Sequence, residues 1–368
     1  MEIAFITNHT CIRAKKQAVA LREKGFNVHL IANMISDSHI FKTTTQHGDF
    51  RELERVIDRM RDNIDIWHVH NEPNWPVLAV RKVIPDAKIV MDHHDSQYWR
   101  TKKGMTVYDE KEPVSFYEED IADQCADAFV APSLSCQKEL AERTGKEIVF
   151  VPSATSAEEM RLGVFGVRGG LCSQGGHVTP EMSKKSGVEN WRDYTELYTE
   201  LRGQVHIFTY SPTYFLKLHE GQPMPEDISE YYKSLGVEVN KLFYNQLIDY
   251  MGTHTWNLVG NWWKETPKGN VWDYALPNKL FDGIAAGVPP VVIGCPEAAD
   301  LVLEHDIGIV IKHPKELKIR WNEHKEKRKN LLLYRDKYAI ENYIDPLIDL
   351  YKRISNGNSN SDTSPSGR

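Results

Sequence analysis

The chain has 368 residues, enough for two hydrophobic cores of about 150–180 residues each. Its hydrophobic content of 41% and charged content of 26% are those of a water-soluble globular protein, and no run approaches the roughly 18 apolar residues a membrane helix needs. The net charge of −7 argues against a general nucleic-acid binder.

Cys11, Cys125, Cys136, Cys172 and Cys295 are scattered, odd in number and without CxxC spacing, which reads as reduced thiols. The opening MEIAFITNHT moves straight into a strand pattern, with none of the basic-then-apolar character of a signal peptide. A cytoplasmic protein is expected, with a peripheral place at a membrane left open.

In chain order, Glu2–Thr7 reads as an apolar strand, 8–12 as a polar loop, and Arg13–Gly25 as an amphipathic helix with Ala14, Ala18 and Leu21 inward. Asn27–Ala32 is a second strand, so the first 30 or so residues form a βαβ unit and predict a parallel sheet. The first turn has no GxGxxG, so a dinucleotide fingerprint is absent. Phe50–Arg61 is expected as helix, Ile64–Val69 as strand, Trp75–Val83 as helix and Lys88–Met91 as strand. Val114–Cys125 is a helix with an acidic start that suits its dipole, Ala128–Ala131 a strand, and Ser133 a capping hydroxyl for the next helix. Ile148–Val151 is the sixth strand.

Two polar clusters fall just past strand ends: His68, His70, Asn71 and Glu72 in WHVHNEPN, and His93, His94 and Asp95 in DHHDSQ. Ligands bind beyond the carboxyl ends of strands in open α/β sheets, so the placement matters more than the residue types. Histidine and aspartate also suit a metal. His93 and His94, however, are adjacent along a strand and point to opposite faces, which makes them poor joint ligands. His94 otherwise reads as a loop histidine.

The second half repeats the rhythm after the small, polar run PSATSAEEM. Gly163–Arg168 is expected as a strand entering Gly169-Gly170, a turn that would let backbone approach a phosphate. Helices are expected at Trp191–Leu201, Glu226–Leu235 and Lys241–Met251, and strands at Val205–Thr209 and Trp256–Val259. Asn261–Trp272 is an aromatic loop, read as surface packing or as a stacking surface for a base. After the stretch described next come a helix Glu297–Glu304, a strand Ile309–Ile311, a charged helix Pro314–Asn330 and a long amphipathic helix Tyr334–Ile354. Residues 356–368 lack apolar anchors and read as disordered.

The stretch Tyr274–Gly294, YALPNKLFDGIAAGVPPVVIG, organises the rest. Pro277 suits a first helical turn, Leu280, Phe281, Ile284 and Ala285 form an inward face, Gly287 stops the helix, and Val291–Ile293 begin a buried strand. The helix N-terminus attracts an anion, and Asn278 and Lys279 stand in its first turn.

PNKLFDGIAAG, with HHD, resembles the GT-B glycosyltransferases, in particular their retaining, nucleotide-sugar-dependent branch (family four in the usual classification). The resemblance covers roughly residues 1–354 and implies an α/β chain of two Rossmann-like, doubly wound parallel-sheet domains facing across a cleft. It places an acceptor-side domain at 1–155 and a nucleotide-sugar-binding domain at 156–334. A helix at 335–354 would cross back to the first domain, ahead of a tail at 355–368. Of the family's two glutamates, the ribose-binding one falls on Asp282. The other falls on Tyr274, a departure that puts the role of the first acid in doubt.

The implied donor site is Arg168, Gly169, Gly170, Pro277, Asn278, Lys279, Leu280 and Asp282. Lys279, the helix N-terminus and Arg168 would stabilise the leaving diphosphate. His94 and Asp95 would lie beside the transferred sugar, His94 as an uncharged imidazole. The acceptor side would carry Thr10, Arg13, His70 and Glu72, while Lys15 and Lys16 read equally as a solvated basic face. The implied co-substrate is a nucleoside-diphosphate sugar, with no metal or other cofactor, and the acceptor (saccharide, lipid-linked glycan or small molecule) is not identified. A GT-B nucleotide-sugar epimerase and a non-catalytic nucleotide-sugar-binding protein stay open as alternatives.

Overall fold

The computed structural model describes residues 1–71, 73–94, 96, 117–162, 165–174, 180–181, 194–201, 205–210, 226–242, 244–260 and 275–357. Among these the strands are β1 (Glu2–His9), β2 (Asn27–Met34), β3 (Thr43–Gln46), β4 (Ile66–His70), β5 (Ile89–Asp92), β6 (Ala128–Ala131), β7 (Glu147–Phe150), β8 (Leu171–Gln174), β9 (Val205–Tyr210), β10 (Glu238–Leu242), β11 (Trp256–Gly260), β12 (Pro290–Ile293) and β13 (Ile309–Val310). The α-helices are α1 (Ile12–Glu23), α2 (Phe50–Met60), α3 (Trp75–Val83), α4 (Tyr117–Cys125), α5 (Leu134–Thr144), α6 (Thr195–Glu200), α7 (Glu226–Ser234), α8 (Tyr244–Met251), α9 (Asn278–Ala285), α10 (Pro296–Glu304), α11 (Pro314–Arg320), α12 (His324–Tyr334) and α13 (Asp345–Ser355). None of the described helices is long and apolar enough to cross a membrane.

The described chain divides into two compact units. Unit 1 takes residues up to Ser96, Tyr117–Pro152 and the returning segment from Ile340; unit 2 takes Ser153–Ala339. In unit 1 the sheet order is β3-β2-β1-β4-β5-β6-β7; in unit 2 it is β10-β9-β8-β11-β12-β13. Every strand pair is parallel, with Ile3 opposite Val28 on one side and Ile66 on the other.

Parallel strands are covered on both faces, so their sequences run apolar without alternation. Ile3, Ala4, Phe5 and Ile6 are all fully buried, as are Val291, Val292 and Ile293. In each unit the strand order reverses next to its first strand, between β1 and β4 and between β8 and β11. Such reversals are where ligands bind in open sheets.

Several elements differ from the sequence expectation. Residues 165–168 form turn and bend, and the strand starts at Leu171, so Gly169-Gly170 precede it rather than follow it. The first part of the helix expected at Lys241–Met251 is the edge strand β10, which pairs in parallel with β9 through Glu238–Leu242 before α8 begins at Tyr244. The edge strand β3, TTTQ, carries no apolar run and was not expected. Neither long C-terminal helix is continuous. Pro314–Asn330 is α11, a 3-10 turn and α12. Tyr334–Ile354 breaks at Ala339, whose extended backbone (ψ 143) separates the 3-10 turn Arg335–Tyr338 from a second one, Ile340–Asn342, ahead of α13, which has Pro346 in its first turn. The aromatic loop and the tail lie outside the described residues.

Candidate active site

In unit 1 a buried carboxylate collects the polar groups at the carboxyl ends of β1, β4 and β5. Asp92 ends β5 and is fully buried. Arg13 Nε, from the first turn of α1, meets both of its oxygens at 2.8 and 2.9 Å, and Gln17 Nε2, one turn on, donates at 2.8 Å. His94 Nδ1 lies 3.1 Å from Asp92 Oδ1, while the His94 backbone N–H donates to Asn71 Oδ1 at 2.9 Å. Cys11 caps α1 by accepting from Ala14 N–H at 3.3 Å, and it also hydrogen-bonds His94.

Beneath this network His68 and His70, two residues apart on one face of β4, stack with ring centroids 4.6 Å apart. Each meets the edge of Phe5, and His68 Nδ1 pairs with Tyr351 Oη of α13.

The charges follow from these contacts. Burial pushes the Asp92 carboxyl upward, but Arg13 and the His94 hydrogen bond hold it well below the usual carboxylate range. Burial opposes charge on His94 too, yet the hydrogen bonds to Asp92 and Cys11 carry it up to about 10. His94 is therefore an imidazolium, not the uncharged ring expected from sequence, because the residue two positions before it is a buried anion. His68 has no comparable partner, and burial lowers it to about 4; burial and the neighbouring His68 put His70 well below its usual value.

Arg13 is not an exposed acceptor-side cation: it is 3% exposed and its charge is spent on Asp92. Lys16 is buried as well, and Lys15 pairs with Asp37, so this helix face is not solvated as expected. Thr10 joins the ends of β1 and β2, its N–H donating to Met34 O at 3.1 Å and its hydroxyl accepting from Ser36 N–H at 3.0 Å. His70 is buried under the network. Glu72 and Asp95 lie outside the described residues.

His93 points away from His94, as adjacency along the chain requires, and its Nε2 lies 2.6 Å from Asp123 Oδ1. Two trios, His68–His70–Asp92 and His93–Glu119–Asp123, bring possible metal-ligand atoms within 4.8 Å. Neither fits a cation. Arg13 and Gln17 occupy the first carboxylate, and the Arg143 guanidinium bridges Asp123 and Glu119 in the second.

In unit 2 the site is built on α9. Pro277 caps the helix, and Asn278 and Lys279 open it. Asn257 of β11 donates from Nδ2 to Lys279 O at 2.8 Å, tying that first turn to the sheet. Gly283 is required opposite it, since a Cβ there would lie 2.1 Å from Asn257 Nδ2. At the end of β11, Gly260 has φ +82, and a Cβ would stand 2.0 Å from Ile293 O. The Lys279 ammonium lies 5.9 Å from the Tyr194 ring centroid. Leu280 is fully buried and packs the core.

Asp282 is fully buried, with Oδ2 accepting from Gln174 Nε2 at 2.8 Å and Oδ1 from Thr155 Oγ1 at 3.2 Å. Its oxygens thus hold the end of β8 and the segment after Pro152. Two acceptors on these elements, Gln174 Oε1 and Asn278 Oδ1, are buried and meet no donor among the described residues. Arg168, Gly169 and Gly170 stand at the amino end of β8, the wrong end for a phosphate loop. Arg168 pairs there with Glu238 at 3.0 Å over the Tyr250 ring. The glycine pair that follows β8 in the sequence is Gly175-Gly176, outside the described residues.

Asp92, Gln17, Gln174, Thr155 and Asn257 had not been singled out from sequence. The available signal was an Asp closing the buried apolar run IVMD, a position that demands a partner.

No protein-family model matches the sequence, and no curated protein matches it. Solved structures do match over nearly the whole chain. A sucrose-phosphate synthase from Thermosynechococcus elongatus is 13% identical with TM-score 0.63, covering 97% of this chain and 100% of its own. HepE from Anabaena, solved with UDP and glucose, is 10% identical with TM-score 0.63, covering 96% and 99%. AviGT4, a glycosyltransferase of avilamycin A biosynthesis, is 14% identical with TM-score 0.58, covering 97% and 98%. The chain has the GT-B fold. Its two parallel sheets are the two Rossmann-like units of that fold, and α9, between β11 and β12, belongs to the second of them.

Proposed function

We propose that this protein is a glycosyltransferase that moves a sugar from a nucleoside-diphosphate sugar to an acceptor, with retention and without a metal. The observation that carries the reading is a pair of buried acceptors without a donor among the described residues: Asn278 Oδ1 in the first turn of α9, and Gln174 Oε1, whose amide nitrogen meets Asp282 of the same helix. A buried acceptor without a donor costs about 1–3 kcal/mol. Ribose hydroxyls donate, and the diphosphate beside them suits the helix amino end and Lys279. HepE, of the same fold, was solved with UDP-glucose, which supports a donor of this class.

Lys279 and the helix amino end carry the charge of the leaving diphosphate as the glycosidic bond breaks, which is the work a divalent cation performs elsewhere. We assign to His94 of unit 1, whose Nδ1 is taken by Asp92, the contact with a hydroxyl of the sugar. Asp92 holds that ring, and Arg13 and Gln17 hold Asp92. The acceptor is served by unit 1.

Thermal-shift and calorimetric titration with a panel of nucleoside-diphosphate sugars tests the reading, followed by release of the diphosphate with and without candidate acceptors and with chelator present. Saturable binding of at least one donor and acceptor-dependent release are expected. Binding without turnover makes the chain a binding module, acceptor-independent conversion of the sugar makes it an epimerase, and no binding sinks the proposal.

A further inference from the structure

The opposite edge of unit 2 carries a second concentration of charge. In α12, HKEKRKNLLLY, Lys325, Arg328, Lys329 and Leu332 recur at helical spacing and share one face. That face lines an open hollow of about 540 Å³, closed on its other side by Phe165, Gly166 and Thr255. Gly166 precedes β8 and Thr255 directly precedes β11, so the hollow lies at the amino ends of the strands, whereas the amino end of α9 lies at their carboxyl ends.

The charge in the hollow is uncompensated. No carboxylate lines it. Some other cations of unit 2 are paired: Lys327, on the other face of the same helix, meets Asp306 at 2.6 Å, Lys318 meets Glu200 at 3.0 Å, and Arg320 meets Glu323 at 2.7 Å. Lys325 and Lys329 form no ion pair among the described residues, in a chain whose net charge is −7.

Arg328 is held in place. Its Nε donates to Gly287 O at 3.2 Å, and its guanidinium lies 4.0 Å over the Phe165 ring, which orients the planar fork and removes most of the entropy cost of binding. Gly166 has φ +72 and open space where a side chain would stand, so its backbone is open to a ligand.

We propose that this hollow is a binding site for a phosphoryl group, held by Lys325, Lys329 and Arg328, with Phe165 and Leu332 against the apolar remainder of the ligand. Three cations around one concavity match the charge and the several terminal oxygens of a phosphate monoester better than the single charge of a carboxylate. The group reaches the site either free or on a lipid headgroup; Leu333 beside it is 74% exposed.

The test titrates the 15N-labelled chain with inorganic phosphate and with glycerol 1-phosphate, and repeats both on the double variant K325E/K329E. Both lysines are exposed, and an unchanged melting temperature shows that the variant folds. Saturable shifts at Gly166, Thr255 and Arg328 are expected, with affinity about tenfold weaker in the variant and falling with salt. Absence of saturable shifts, or equal affinity in both chains, removes the free-phosphate source.

A second arm sediments the chain with phosphatidylglycerol and with phosphatidylcholine vesicles. Pelleting with the anionic vesicles alone, lost in K325E/K329E, assigns the phosphate to a lipid headgroup; phosphate shifts without pelleting assign a soluble ligand. Failure of both arms overturns the proposal. Donor binding at α9 is untouched by K325E/K329E, so the proposed transferase activity stands or falls separately.

Discussion

His94 Nδ1 stands 3.1 Å from Asp92 Oδ1, and the carboxylate that holds it is gripped from behind by Arg13 Nε at 2.8 and 2.9 Å. Two cations share one buried anion, so His94 is charged by its surroundings rather than by solution pH. Because its value rises from 6.5 to about 10 on folding, it stabilises the fold fully below pH 6.5, and that stability is lost as pH rises through about 10. The Asp92 value moves the other way, so its contribution is present above the ordinary carboxylate value and is lost only in strong acid.

Asp92→Asn removes the anion and leaves Arg13 buried without a counter-charge. A loss of about 3–5 kcal/mol is expected in denaturant unfolding, the usual penalty for breaking a buried pair from one side. In NMR titration the His94 ring should still be protonated at pH 8 in the wild type and neutral there in Asp92→Asn (values set by the shift to about 10). A His94 that titrates alike in both proteins rejects the network.

Asp282→Ala should destabilise the protein by about 1–3 kcal/mol, since Gln174 and Thr155 lose their acceptor. Urea unfolding measures this. Unchanged stability with weakened donor binding would return the carboxylate to the ribose.

Gly283→Ala places a methyl group 2.1 Å from Asn257 Nδ2 and so drives Asn257 off the Lys279 carbonyl. A stability loss of about 1–3 kcal/mol and weaker nucleoside-diphosphate binding are expected. Pairing it with Asn257→Ala should restore stability but not binding, because the first turn of α9 stays untied. Full recovery of binding would show that the tie is irrelevant to the site.

For Lys279→Ala, turnover should fall by more than the donor Michaelis constant rises, as for any group whose partner gains charge in the transition state. A change in the Michaelis constant alone would make the lysine a ground-state contact.

His94→Ala should lower transfer by a factor on the order of a hundred while nucleoside-diphosphate affinity stays level, since the proposed diphosphate site is built from unit 2. His94→Lys, which keeps the charge, should recover part of the rate if charge is what His94 supplies. Equal rates in wild type and His94→Ala would remove the residue from the mechanism.

Periodicity alone located most of the elements. α3 and β6 fall where their residue patterns place them, because buried parallel strands and amphipathic helices each leave a local imprint. PNKL read correctly as a helix start because capping is also local. Partnership between side chains is not local. Arg13 and Asp92 are 79 positions apart, and Gln174 and Asp282 are 108 apart, so no window of sequence could show that Arg13 faces inward, that His94 is charged or that Asp282 is enclosed. The tertiary structure decided these by setting which ends of which strands lie side by side, and with that which buried charges must answer one another.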